Sequence, residues 1–344
     1  MVKKKILLFV LTVVVAMGLM AAGAQEEGPA KEAITLVLAD TGSGPNSPLT
    51  ISGTAWKKAI EEQSNGEIKV NYFTQSQLGG ERDLMEGVQA GTIDLYLGST
   101  GVAANFIPEM SVFNLPFLFL NRAHCEEVQF GPLGVELVSY IDKYQGLKGL
   151  AIGGAGWRMP MNKTRPIKTP ADFKGLKWRN MEVPMHMDTY RAMGASPIPI
   201  AFTELYTALQ LGTVDGQENA PSIAYPMGFH EVCDYFTTLP VLLNGDIFVM
   251  NKSKWDGLSP EHQKIIRDTA QIAAKALNQG FTDEDETALK AMEDYGVEVY
   301  RMPTSEMQPF IDATQAVWDK HLQQFPKRLQ EIALEIRKVG EKFQ

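Results

Sequence analysis

Apolar residues along the chain change their spacing several times, and each change predicts an element. The run from Ile6 to Met20 is apolar almost throughout. From Ile34 to Ala39 a short apolar segment predicts a strand. Trp56, Ala59 and Ile60 mark one face of a helix, and Asn65-Gly66 supplies a stop signal. Glu67–Phe73 alternates, with Ile68, Val70 and Tyr72 on one side, as a half-buried strand does. Leu84–Ala90 is helical and ends at Gly91, and Ile93–Leu97 is a short apolar strand running into Ser99-Thr100. Strand and helix alternate in this order, which predicts an α/β fold with a largely parallel sheet covered by helices on both faces.

The same joint recurs later. Gln89-Ala90-Gly91-Thr92-Ile93-Asp94 and Gln210-Leu211-Gly212-Thr213-Val214-Asp215 each close a helix on Gly and enter a strand through a β-branched residue and an Asp. Gly suits the left-handed position that closes a helix, and two such joints suit two lobes of like topology. Ser259-Pro260-Glu261 is a strong helix start, and helical character then runs to about Tyr295. Asp283-Glu284-Asp285-Glu286 lies within it without the spacing of a calcium loop and predicts a solvated face. Val297–Arg301 is a strand candidate, and the chain from Ser305 onward is helical.

The amino terminus changes the picture of where this chain works. Lys3, Lys4 and Lys5, the apolar run, and the small-x-small Ala22-Gly23-Ala24 compose a secretory signal peptide over residues 1–24, followed by a polar linker over 25–33. Cleavage after Ala24 predicts export. About 310 residues then remain, enough for two domains with real cores. The formal charge of −9 becomes −12 once three lysines and no acids are removed. Such acidity argues against a nucleic-acid partner, and any anion site must be built locally. Cys125 and Cys233 are the only cysteines, and their separation leaves a bridge or two buried thiols equally open.

Enzymatic signatures are lacking. The histidines at 124, 186, 230, 262 and 321 show no ligand spacing for zinc. Gly154-x-Gly156 lacks the third Gly of a dinucleotide loop, and no phosphate-binding loop or nucleophile elbow occurs. These absences predict neither an enzyme nor a bound cofactor or metal.

Residues 153–221 hold the densest unusual chemistry. Trp157-Arg158 follows a Gly-rich strand end, Thr169-Pro170-Ala171-Asp172 forms a capping box, and Leu176-Lys177-Trp178 predicts a short strand ending in Arg179. Ligands of open α/β sheets bind beyond the carboxyl ends of strands. An Arg placed there suits a carboxylate, because its planar fork matches both oxygens and it stays ionised when buried. Arg165, before a Pro in a loop, is expected at the surface, and Tyr206 is expected in the core.

Four motifs, in order, then carry a resemblance: Gly175-Leu176-Lys177-Trp178-Arg179, Met193-Gly194-Ala195-Ser196-Pro197, Phe202-Thr203-Glu204-Leu205-Tyr206-Thr207-Ala208-Leu209-Gln210, and Val214-Asp215-Gly216-Gln217-Glu218-Asn219. With Ser64–Val70 and Gln77-Leu78-Gly79-Gly80 they resemble the dicarboxylate-receptor-like substrate receptors of tripartite ATP-independent periplasmic (TRAP) transporters over most of the mature chain. The resemblance implies a two-lobed periplasmic-binding-protein-like fold with a long helix bracing both lobes. The lobes are expected at 34–156 plus about 245–284, and at 157–244 plus about 285–344. It implies a receptor that closes about a hinge and delivers its ligand to separate membrane permease subunits. It places the family's carboxylate-binding Arg on Arg179, a supporting Arg on or beside Arg158, an amide on Asn219 and a stacking aromatic on Phe202. Ala220 stands where Pro is commoner in the family.

The remaining candidates come from loops and element ends: Asn46 and Ser47, Glu81, Ser99-Thr100, Glu182 and Trp157. Together they offer hydroxyl-directed hydrogen bonds more than a second cationic clamp, which leans toward a hydroxylated monocarboxylate such as a sugar acid. A C4-dicarboxylate would want another cation opposite Arg179, and the early loops supply Arg82. An acid at the pocket would suit an amino acid, and Trp157 and Trp178 leave an aromatic acid open. An ATP-driven importer's receptor, with the same lobes and another permease, is the further alternative.

Overall fold

The computed structural model describes residues 33–343. The expected signal peptide, and the linker up to residue 32, lie outside the described residues. Among the described residues ten strands form one connected sheet. They are β1 (Ile34–Ala39), β2 (Ile68–Phe73), β3 (Leu95–Ser99), β4 (Leu147–Asn162), β5 (Lys177–Asn180), β6 (Ser196–Pro199), β7 (Gly216–Asn219), β8 (Tyr235–Thr237), β9 (Leu242–Asn251) and β10 (Glu298–Tyr300). The order is β2-β1-β3-β9-β4-β7-β5-β6, with β8 on β4 and β10 on β8. Short strands pair in parallel, as β1 with β3, β5 with β6 and β7, and β8 with β10. The two long strands run against them: β9 is antiparallel to β3 and β4, and β4 is antiparallel to β7 and β8. The sheet is therefore mixed. At about 3.3 Å per residue β4 spans about 50 Å, enough to belong to both strand groups.

The repeated joint is the same structure twice. Gly91 and Gly212 sit at φ 81° and 72°. The Thr92 and Ile93 N–H groups donate to the Gly87 carbonyl, and those of Thr213 and Val214 donate to that of Ala208. Each Asp then ties in the neighbouring strand. Asp94 N–H donates to Val37 O and its Oδ2 accepts from Val37 N–H, while Asp215 does the same with Lys177. Ile93 and Asp94 belong to these turns, so the strand expected at 93–97 runs Leu95–Ser99.

The long helix runs Pro260–Tyr295, opened by the Ser259 hydroxyl accepting from His262 N–H and closed by Gly296 at φ 114°. It packs against the helix Pro48–Gln63, β4, the short helix Pro221–Ala224 and β10. A Cβ at Gly280 would lie 3.1 Å from Pro48 Cα, so glycine permits that close crossing. The acidic run at 283–286 is not wholly a solvated face: Asp285 is partly buried and accepts from both the N–H and the hydroxyl of Ser222. The helical tail is broken at Pro326 into Gln308–Leu322 and Lys327–Gly340.

Apolar cores fill the layers, among them the following three. One gathers Leu84, Tyr96, Phe113 and Ile247 with Trp318, Ile332 and Ile336 from the tail. A second holds Leu205, Leu209, Val214, Phe229 and Phe236 with Met292. The third is aromatic: Trp178 stacks on Tyr190 at 5.2 Å and meets Phe173 edge-on at 5.0 Å. Cys125 and Cys233 are both buried and free, and burial pushes the Cys233 thiol up to about 12. Among the described residues no helix is long and apolar enough to cross a membrane.

Candidate functional site

β5, β7 and β9 end or bend around one cavity of about 340 Å³. Its floor at one end is cationic. Arg179, the third residue of β5, is 1% exposed, and burial brings its guanidinium down to about 10, still ionised at neutral pH. Its Nε donates to the Ile200 carbonyl at 2.9 Å, which fixes the plane of the fork. Its Nη1 is buried without a hydrogen-bond partner. An unpaired charged donor at a buried position is costly, and an incoming anion removes that cost.

Arg158, on β4, is more fully engaged. Its Nη1 donates to Asn244 Oδ1 at 2.8 Å and its Nη2 to the Glu218 carbonyl at 2.8 Å, while its Nε has no partner. Behind both arginines lies Glu218, fully buried, with Oε2 accepting from Trp178 Nε1 and Asn180 Nδ2 and Oε1 at 3.5 Å from Arg158 Nη2. Burial pushes the Glu218 carboxyl up, and the two guanidinium groups oppose that shift. Two cations and one anion leave this wall one positive charge in excess, enough for one carboxylate. Sequence reasoning gave Glu218 no role of its own, although an acid three residues after Asp215 and next to Asn219 was its signal.

Asn219, at the end of β7, lines the same wall and donates one amide hydrogen to Gln217 Oε1, which leaves the other for a ligand. Phe202 lines the cavity from the first turn of the Phe202–Glu204 3₁₀ helix and is braced edge-on by Phe229 at 6.3 Å. The Ile200 carbonyl that receives Arg179 is two residues upstream, so one loop places both groups.

The opposite wall is acidic. Glu81 and Ser99 line it, but they are bonded to each other: Ser99 N–H and Oγ–H donate to the two carboxylate oxygens at 2.9 and 2.7 Å. Ser99 Oγ also caps the following helix at Val102 N–H. Glu182 is exposed at the rim, 3.7 Å from Arg82, which also approaches Glu86 at 4.0 Å. The cation that would favour a dicarboxylate is thus already paired with acids. Asp246 and Asn244 of β9 also line the cavity; neither was singled out in the sequence, where they interrupt an otherwise apolar segment.

The structure leaves Asn46, Ser47, Thr100 and Trp157 outside the cavity lining, Thr100 with its hydroxyl donating to the Gly245 carbonyl. Asn46 is exposed in a loop whose next residue, Ser47, caps the helix Pro48–Gln63 at Thr50 N–H. Trp157 points from β4 to the opposite face from Arg158 and packs on the first core, and Trp178 is core as well. Arg165 spans the loop to the Asp172 and Lys174 carbonyls, away from the cavity. Tyr206 packs on the second core and donates to Glu231. Among the described residues no three His, Cys, Asp or Glu side chains converge as a metal site.

The sequence profile of the bacterial extracellular solute-binding proteins, family 7, matches residues 40–324. The 2,3-diketo-L-gulonate-binding periplasmic protein YiaO of Escherichia coli is 34% identical over 249 residues, 72% of this chain and 76% of that protein. A TRAP periplasmic solute-binding protein of Polaromonas sp. JS666, solved bound to D-erythronate, superposes with a TM-score of 0.83 at 31% identity, covering 89% of this chain and 98% of that one. The sugar-acid-binding protein of Advenella mimigardefordensis, in complex with galactonate, gives 0.85 at 27% identity over 90% and 99%. These neighbours are two-lobed receptors with the α/β architecture described above.

Proposed function

The chain belongs to the bacterial extracellular solute-binding proteins, family 7, a receptor and not an enzyme family, and from that premise we propose that its ligand is a hydroxylated monocarboxylate of the sugar-acid class. One observation carries the reading: Arg179 presents a buried, partly unpartnered guanidinium from a wall with one positive charge in excess. The carboxylate pairs with that fork, Asn219 donates its free amide hydrogen, and Phe202 covers the apolar face of the carbon skeleton. Arg158 supports from behind, because Asn244 and Glu218 already hold most of its donors. The sugar-acid ligands named for YiaO and for the two solved neighbours point the same way.

Binding closes the expected lobes, 34–156 with about 245–284 and 157–244 with about 285–344, around the acid. Burial between lobes strengthens the ion pair, and the ligand shifts the population toward the closed form. We further infer export to the periplasm with cleavage after Ala24, and delivery of the ligand to membrane permease subunits of a TRAP transporter. A C4-dicarboxylate is disfavoured by the pairing of Arg82 with Glu182 and Glu86.

A thermal-shift screen of the mature protein tests the reading. D-galactonate, D-erythronate and 2,3-diketo-L-gulonate are compared with succinate, alanine, orotate and neutral sugars. A ligand at about 100 times its Kd adds about 2.7 kcal/mol of stability, and hydroxylated monocarboxylates are expected to do so. Stabilisation by neutral sugars and by no carboxylate contradicts the reading.

A further inference from the structure

Asp246 has no role in gripping a carboxylate, yet it is a built feature of the cavity. It stands on β9 opposite Ser99 of β3 and Gly153 of β4, is 1% exposed, and lines the cavity together with Asn244. Its Oδ2 is buried and lacks any hydrogen-bond partner. The backbone makes room for it: β4 slips register between Gly153 and Gly156, and a Cβ on Gly154, at φ 82°, would lie 2.7 Å from Asp246 Oδ2. A buried polar atom without a partner is expensive, so this space is matched to something that arrives.

Neighbouring acids do not share this freedom. Glu81 is occupied by the Ser99 N–H and hydroxyl. Asp40 is occupied by Gly42 N–H, by Thr74 at 2.6 Å and by the Tyr72 hydroxyl. The Tyr96 hydroxyl, within the field of all three acids, is also buried and unpartnered. Burial, with Glu81 and Asp40 nearby, pushes the Asp246 carboxyl well above the usual carboxylate range, against the attraction of Arg158. A neutral carboxyl both donates and accepts, which is what an alcohol needs and an ammonium does not.

We propose that Asp246 is a specificity-determining residue that reads a hydroxyl group of the bound acid, hydrogen-bonding to it from β9 beside Asn244. The assignment rests on the carboxylate-receptor reading and adds the reason for preferring hydroxylated acids. A plain fatty acid would offer Asp246 Oδ2 no partner.

Calorimetric titration with the tightest binder among D-galactonate, D-erythronate and D-glucuronate, alongside n-hexanoate, tests it. Asp246→Leu is expected to weaken the hydroxy acid about 10- to 100-fold while leaving hexanoate unchanged or improved. Asp246→Asn, which keeps a donor and an acceptor, is expected to stay within about threefold of native. Melting of each unliganded variant confirms folding, and the isosteric Asn variant preserves the test if Leu does not fold. The assignment is overturned if Asp246→Leu binds the hydroxy acid as the native protein does, or if Asn loses as much as Leu, which would mark an ionised carboxylate reading a cation. Retained hydroxy-acid binding in Arg179→Ala would instead overturn the carboxylate reading, and this assignment with it.

Discussion

The two walls of the cavity handle buried charge in opposite ways. On the arginine wall, three ionisable groups are crowded together with one positive charge left over, and Arg179 keeps an unpaired donor toward the space. On the acid wall, Glu81 and Asp40 are satisfied by local hydroxyl and backbone donors, and Asp246 is held toward its neutral form. One wall is prepared for a full charge and the other for a dipole. A polyhydroxy acid has that distribution within one small molecule, so specificity arises from the contrast between the walls and not from either alone. The contrast also explains how a chain of net charge −9 holds an anion: the excess positive charge is local and dry.

Removing the charge should have the largest effect. Arg179→Ala is expected to cost about 3–5 kcal/mol of binding, at least a hundredfold, as read by calorimetry, whereas Arg179→Lys keeps the charge, loses the fork and falls between. Native-like affinity in the Ala variant would erase the distinction between the walls. Next is the counter-ion. Glu218→Gln leaves two buried cations with no anion, and urea unfolding should show a loss of about 3 kcal/mol in the unliganded protein. Saturating galactonate should recover part of it, more than it adds to the native protein.

Asp285 tests how the arginine wall is anchored. It holds Ser222, three residues beyond Asn219, to the long helix, and burial raises its carboxyl to about 6 from an ordinary 3.8. Because the folded form binds the proton more tightly, this contribution is full below about pH 3.8 and is lost as pH rises through about 6. Asp285→Asn, whose Oδ1 still accepts from Ser222, should therefore flatten melting temperature against pH over that window and add about 2 kcal/mol at pH 7.5. An unchanged pH profile would place the proton elsewhere. Asn219→Ala should weaken binding about tenfold through one lost hydrogen bond to a charged group. Asn46→Ala, outside the cavity, should change affinity by less than twofold, within the small effects usual for exposed sites.

The same contrast marks what was legible in the chain. On the arginine wall, Arg179 was proposed from its place at the end of a short apolar strand, while Asn219 and Phe202 came from the resemblance; the structure lines one cavity with all three. Asn219 ends β7 and Phe202 opens a 3₁₀ turn. The joint at Gly91 and Gly212 was readable from local rules, down to the Asp that locks each turn. The acid wall was not. Glu81 and Ser99 looked like independent candidates because the bond between them spans a helix start and a strand end that periodicity cannot bring together. Asp246 stood within Leu242–Asn251, whose burial on both sides gave no alternation to mark one face as special. Trp157 misled by adjacency, since neighbouring residues of a strand point to opposite faces. The expected parallel sheet became mixed because β4 and β9 serve both strand groups, a property of length and not of local pattern.

The account is tested most directly by titrating the mature protein with D-galactonate and with galactitol, which keeps the carbon chain and hydroxyl groups but replaces the carboxylate with an alcohol. Saturable one-to-one binding of the acid, with galactitol at least a hundredfold weaker, is the expected result. Equal affinity for both would contradict it, because the excess charge around Arg179 would then have no part in holding the ligand.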